Sequence, residues 1–229
     1  MNPPAKSDRN SEIMDLKKKL IILDAGGVIQ PDSELGLPNQ SSLQKLTGLT
    51  AQELNQYQDH EKLNKGEISL ENVFQNIIQV SNHSHSLTLD ILLSTYKKNI
   101  SLYPGAVKLI CDIEKTGYRV VILTNNSNVG FQHTKDLFLK ESLSHIPIYG
   151  SSELGMKKPD QDIFLKVCEK EKVHPNECWF IDDREINRKA AEKLGMSVIA
   201  FDRLGNNSEA LNAINGCRNT LLQLGILNK

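Results

Sequence analysis

Four places in this chain combine residues that do chemistry with a setting that would present them. Asp24 follows the apolar run Leu20-Ile21-Ile22-Leu23 and precedes Ala25-Gly26-Gly27-Val28. Thr124 follows Val120-Val121-Ile122-Leu123 and opens the polar cluster Thr124-Asn125-Asn126-Ser127-Asn128. Lys158 stands in Met156-Lys157-Lys158-Pro159-Asp160, and the pair Asp182-Asp183 follows Cys178-Trp179-Phe180-Ile181. A carboxylate able to attack, a hydroxyl donor, an ammonium and a further acidic pair are together what phosphoryl transfer asks for. The charge on the group in flight needs a metal, a cation and aligned N–H and O–H donors. Each place also has a plainer reading. Asp24 could cap a loop, residues 125–128 could cap a helix, and Lys157 and Lys158 could be solvated. Asp182-Asp183 could be a surface turn, although the apolar 178–181 run argues that the pair is buried. Such a pair is costly without a cation, and Mg²⁺ would resolve it.

The elements that must position these groups are legible in the apolar pattern. Runs of four apolar residues are too short for helices and fit strands buried on both faces. Such runs occur at 20–23, 120–123 and 178–181, with shorter ones in Ser197-Val198-Ile199-Ala200 and around Ile148-Tyr149-Gly150. Between them lie helical periodicities: Ala106, Leu109, Ile110 and Ile113, ending near Gly117; Ile163, Phe164, Val167 and Cys168, with Pro159 placed to open the helix; Ala190, Ala191 and Leu194, ending at Gly195; and a last helix over 207–224. Alternation of strand and helix predicts an α/β fold with a doubly wound, five-stranded parallel sheet. Parallel strands put their carboxyl ends on one edge, so Asp24, Thr124 and Asp182-Asp183 would converge there.

Residues 34–100 differ. Val73, Phe74, Ile77 and Ile78 share one helical face, as do Leu89, Leu92, Leu93 and Tyr96, and Thr50 and Ser69 mark helix starts. No strand pattern interrupts the block. The expected organisation is a flexible tail at 1–17, a core from 18–33 and 101–229, and a helical insertion at 34–100. His83 and His85, in a Ser/Asn-rich connection, read as solvated.

Composition bounds the rest. With 39% hydrophobic and 24% charged residues, the 229-residue chain can bury a full core. A formal charge of −1 offers no electrostatic case for nucleic acid or an anionic membrane. Cys111, Cys168, Cys178 and Cys217 are scattered without metal-type spacing and fit reduced, packed thiols. No apolar run approaches the roughly 18 residues of a membrane span, and the polar N-terminus lacks a signal-peptide core. A cytoplasmic monomer or weak homodimer with a small-molecule partner is expected.

From residue 19 to 201 the motifs together resemble the haloacid dehalogenase superfamily of aspartate-nucleophile hydrolases. They are Asp24-Ala25-Gly26-Gly27-Val28, Leu123-Thr124-Asn125, Lys158-Pro159-Asp160, and Ile181-Asp182-Asp183 with Asn187 beyond. The Gly-Gly-Val variant and Lys65-Gly66-Glu67-Ile68-Ser69 are similar to the sugar-phosphate phosphatase branch that includes α-glucose-1-phosphate phosphatase. The resemblance implies a cap at 34–100 and Mg²⁺-dependent hydrolysis of a small phosphate monoester, a sugar phosphate, through an aspartyl-phosphate on Asp24. It also implies Mg²⁺ ligation by Asp24, the Gly26 carbonyl and Asp183. Thr124, Asn125, Lys158 and Gly27 would bind phosphate, with Thr124 and Lys158 assisting catalysis. Asp182 and Asn187 would orient Asp183 and a metal-bound water.

The chain departs from the pattern at Gly26, where most phosphatases of the superfamily carry the general acid and base Asp. Loss of such help costs on the order of 10²- to 10⁴-fold in rate. Either the leaving group is good, as the acidic anomeric hydroxyl of a sugar 1-phosphate would be, or the protein binds a phospho-ligand or partner without turnover. Asp32, His60 and Glu61 are candidate substitutes. A dehalogenase ranks third, because it needs a cation on the cap side and residues 30–100 contain no Arg. Lys45, Gln58, Lys62, Asn64 and Lys65 are the polar cap residues open to a specificity role.

Overall fold

The computed structural model describes residues 19–32, 42–57, 59–83, 85–202 and 207–228. The expected tail at 1–17 and Gln58 lie outside the described residues. Five strands, β1 (Leu20–Leu23), β2 (Arg119–Thr124), β3 (Ile148–Gly150), β4 (Cys178–Asp182) and β5 (Ser197–Ala200), form one sheet in the order β3-β2-β1-β4-β5. Every neighbouring pair is parallel. The sheet is the α/β architecture expected from the alternating pattern.

β1 lies at the centre, in register with β2 (Leu23↔Ile122) and with β4 (Leu23↔Ile181). Its four residues are fully buried because successive side chains leave opposite faces and both faces are covered. Ile21 and Leu23 join Val120, Ile122 and Ile181 in one apolar cluster, packed under α6 (Ala106–Glu114) and α11 (Asn207–Gln223). Leu20 and Ile22 join Val121, Leu123 and Phe180 on the other face, under α9 (Gln161–Glu171) and α10 (Glu185–Glu192). Burying each Leu or Ile contributes roughly 1.5–3 kcal/mol over leaving it exposed. The reactive groups therefore stand on the most firmly packed strands of the molecule.

Between β1 and α6 come α1 (Ser42–Thr47), α2 (Ala51–Gln56), α3 (His60–Asn64), α4 (Leu70–Val80) and α5 (Leu89–Lys98). Thr50 closes a capping box with Glu53, and Ser69 accepts from the N–H of Asn72, so both helices start where the sequence marks them. These helices bury a cluster of their own, with Val73, Phe74, Ile77, Leu92 and Tyr96 at its centre. It extends to Val129 on α7 (Asn128–Lys140), and the short α8 (Ser151–Leu154) follows β3. His83 and His85 are exposed.

One boundary differs from expectation. Pro159 does not open α9. The N–H of Asp160 donates to the Lys157 carbonyl at 2.9 Å, closing a turn that leaves Asp160 as the N-cap of a helix starting at Gln161. Pro159 shapes the Lys158 loop instead. Among the described residues no helix is long and apolar enough to cross a membrane.

Candidate active site

Three adjacent strands, β2, β1 and β4, end at the same edge and deliver Thr124, Asp24 and Asp182 side by side. Lys158 arrives from the loop before α9 and is 3% exposed. Its Nζ lies 2.7 Å from Asp24 Oδ1 and 2.9 Å from Asp182 Oδ2, and donates to the Leu123 carbonyl at 2.9 Å. The Phe180 ring lies 5.5 Å below the ammonium. Asn125 holds the lysine in place. Its side-chain oxygen accepts the Lys158 N–H and its amide donates to the Lys158 carbonyl, both at 2.8 Å.

Asp24, Asp182 and Asp183 each offer an oxygen within 4.8 Å of the others. Lys158 is the ammonium bonded to this group, and the Arg188 guanidinium donates to the Asp182 carbonyl at 2.8 Å. Burial pushes the Asp24 carboxyl well above the ordinary carboxylate range; Lys158 opposes this, and the charges of Asp182 and Asp183 add to it. For Lys158 burial works toward the neutral amine, but the charges of Asp24 and Asp182 outweigh it and hold the ammonium on. A site that concentrates carboxylate oxygens in this way fits a hard divalent cation. Asp24 and Asp183 could hold it.

Asp182 is different. Its Oδ1 accepts the Arg184 N–H at 2.8 Å, the Asn187 amide bonds both oxygens at 3.0–3.1 Å, and Oδ2 also meets Lys158. Asn187 therefore holds Asp182, and Asp182 holds Lys158. Gly27 departs from the expected phosphate contact. Its N–H donates to the Gln30 carbonyl at 2.8 Å, so it is turned into the loop rather than toward a phosphate. Glycine is required there for another reason. Its φ is +76°, and a β-carbon would stand 2.6 Å from Asp183 Oδ2.

Asp24, Gly26, Thr124, Asn125 and Lys158 line a cleft of about 470 Å³ between the sheet edge and the helical layer. His60, Glu61 and Asn64 reach it from the helices, whereas Lys45, Lys62 and Lys65 do not line it. Lys62 pairs with Asp59 and Lys65 with Glu61. Sequence reading missed Asn55, Tyr96, Arg184 and Ile186, which also line the cleft. Tyr96 carried a misleading signal, since it lies on the apolar face of α5. It packs edge-on to Phe74 at 6.2 Å while its hydroxyl donates to Asn126 Oδ1 at 3.3 Å.

Residues 30–201 match the sequence profile of a family described as haloacid dehalogenase-like hydrolase. The chain belongs to that family. Among curated haloacid dehalogenase-like relatives, an (S)-2-haloacid dehalogenase from Burkholderia cepacia is 30% identical over 125 residues, 52% of this chain and 51% of that protein. A bifunctional riboflavin kinase/FMN phosphatase from Arabidopsis thaliana is 29% identical over 135 residues, 58% of this chain and 35% of that protein. The matches thus span about half and about a third of these relatives' lengths. A haloacid dehalogenase family enzyme from Bacteroides thetaiotaomicron, crystallised with magnesium and inorganic phosphate, shares the fold with a TM-score of 0.64. Its sequence is 22% identical, and the match covers 84% of this chain and 98% of that one.

Proposed function

We propose that this hydrolase is a Mg²⁺-dependent phosphatase that cleaves a small phosphate monoester through an aspartyl-phosphate on Asp24. One observation carries the reading: a buried carboxylate at the centre of the sheet edge, bonded to a buried lysine and grouped with two further carboxylates in a set that suits a divalent cation. Asp24 Oδ2 is the attacking atom, because Oδ1 is bonded to the Ala25 N–H at 2.6 Å and to Lys158. Lys158 and Thr124 line the cleft beside Asp24 and receive the phosphate oxygens. The ammonium offsets charge that builds up between nucleophile and phosphoryl group. Mg²⁺, held by Asp24, Asp183 and the Gly26 carbonyl, would supply the remaining positive charge. Two further observations support the reading: one relative is an FMN phosphatase, and a structural neighbour was crystallised with magnesium and phosphate.

The helices over 42–98 would act as the cap that closes on the leaving group. Asn55, His60 and Asn64 turn amide and imidazole groups to the cleft, suited to a hydroxylated leaving group such as a sugar. One observation favours a second reading, binding without turnover: Gly26 carries no acid. The dehalogenase relative favours a third, in which Asp24 displaces halide from a haloacid. Against it, the acidic cluster repels a substrate carboxylate, and no described cap residue facing the cleft is an arginine.

Phosphate release from a panel of sugar phosphates, with Mg²⁺ and with EDTA, tests all three. The proposed function requires Mg²⁺-dependent release that Asp24→Asn abolishes while the circular dichroism spectrum is unchanged. Bound phosphate without release would mean a binding protein, and chloride release from 2-chloropropionate a dehalogenase.

A further inference from the structure

The vacancy at Gly26 is filled from elsewhere in the chain. The turn after β1 is tight: the N–H groups of Val28, Ile29 and Gln30 all point at the Ala25 carbonyl, and Gly27 bonds back to Gln30. Gly26 and Gln30 form a parallel bridge, so the backbone comes back alongside itself and brings Asp32 beside Gly26. A β-carbon built on Gly26 would stand 3.1 Å from Asp32 Oδ1 and 3.7 Å from its Cγ. The backbone of Gly26 is not in the left-handed region, so nothing in its conformation forbids a side chain. What occupies that space is another residue's carboxyl group. Asp32 lines the same cleft as Asp24.

The other candidates are placed less well. Glu61 is bonded to Lys65 at 2.9 Å and lies 3.5 Å from Lys157. His60 is exposed on the helical layer, whereas Asp32 belongs to the segment that leaves β1.

We propose that Asp32 is the catalytic acid and base of this enzyme, its carboxyl group standing where residue 26 has no side chain. The inference rests on the phosphatase reading. In the first step Asp24 Oδ2 forms a bond to phosphorus, the P–O ester bond breaks, and the Asp32 carboxyl passes its proton to the departing oxygen, which leaves as an alcohol. In the second, the Asp32 carboxylate takes a proton from water as the water oxygen bonds to phosphorus. The bond from phosphorus to Asp24 then breaks, releasing inorganic phosphate and restoring both residues. Crowding gives glycine at 26 a reason, since an aspartate there would compete with Asp32 for one space.

The test compares two leaving groups in the first turnover with Mg²⁺. A sugar 6-phosphate releases a strongly basic alkoxide that needs a proton; p-nitrophenyl phosphate releases a phenolate that does not. In Asp32→Ala the single-turnover release of the sugar should fall by about 10²- to 10⁴-fold. The burst of p-nitrophenolate, one per enzyme, should persist and be followed by slow turnover as the phosphoenzyme accumulates. Adding Gly26→Asp to Asp32→Ala should restore sugar release, because removing the Asp32 carboxyl opens the space beside residue 26. Equal first-turnover rates of sugar release for wild type and Asp32→Ala would overturn the proposal. So would an equal loss with both esters in a variant whose melting temperature is unchanged, which would make Asp32 a structural residue. Wild-type protein that releases neither alcohol would instead overturn the phosphatase reading, and the proposal with it.

Discussion

Lys158 meets Asp24 and Asp182 at 2.7 and 2.9 Å in the interior, whereas Asp112 on α6 meets Lys108 at 2.5 Å, Lys115 at 3.5 Å and Arg218 of α11 near the surface. The first cluster gathers three acids around one ammonium, with the Arg188 guanidinium on the Asp182 carbonyl; the second gathers three cations around one acid. Excess charge at Asp112 costs little, because the Lys108 and Lys115 side chains are 69% and 75% exposed and water screens them. The same imbalance around Lys158 has no such outlet, since its side chain is 1% exposed and that of Asp182 fully buried. Charge left over in the interior is met by a bound ion or by a shift toward the neutral form, as burial drives at Asp24. Charge left over at the surface need not be.

The largest effect should come from Lys158→Met. Removing the one ammonium leaves Asp24 and Asp182 facing each other, and losing one member of a buried pair typically costs 3–5 kcal/mol, so roughly that loss is expected in urea unfolding without metal. Asp182 should matter mainly through Lys158. If Lys158→Met were as stable as the wild type, the buried cluster would be no more demanding than the surface one.

Mg²⁺ should narrow the contrast. At 100 times its dissociation constant it should stabilise the native state by about 2.7 kcal/mol, seen as a rise in melting temperature that EDTA reverses. Asp183→Asn should weaken Mg²⁺ binding at least tenfold by calorimetry. Unchanged Mg²⁺ affinity would remove Asp183 from the metal site.

The smallest effect is expected at the surface. Lys108 and Arg218 hold the Asp112 carboxyl down to about 2, from 3.8. A depressed carboxyl contributes stability above the unfolded value and loses it as pH falls through the folded one. The contribution should be present above about pH 4 and fade toward pH 2. With its partners in water, Asp112→Asn should cost about 1 kcal/mol at pH 7 and nothing at pH 2. Urea midpoints at the two pH values check this.

Much of the site was legible in the sequence because each group directly follows, or directly precedes, a strong local signal. Asp24, Thr124 and Asp182 close apolar runs of a length that only buried strands satisfy, and Lys158 precedes a helix with a clear apolar face. The helical layer was legible as helices, from its caps and its 3.6-residue period. Which of its residues reach the cleft was not. Lys62 and Lys65 were attractive by type, but each has an acidic partner within four residues, while Tyr96 was masked by the hydrophobic face it shares.

By itself the sequence determined the element order, the buried strands and the four reactive positions, since these depend on short-range patterns of apolar and polar residues. Only the tertiary structure decided what each polar group is bonded to. Asn125 clamps Lys158 across 33 residues, Asp182 holds it across 24, and Tyr96 reaches Asn126 across 30. Gly27 turns its N–H inward to Gln30, and Asp32 lies in the space beside Gly26. Hydrogen-bonding groups have few places to fill, and which neighbour fills them depends on distance in space, which a linear pattern does not carry.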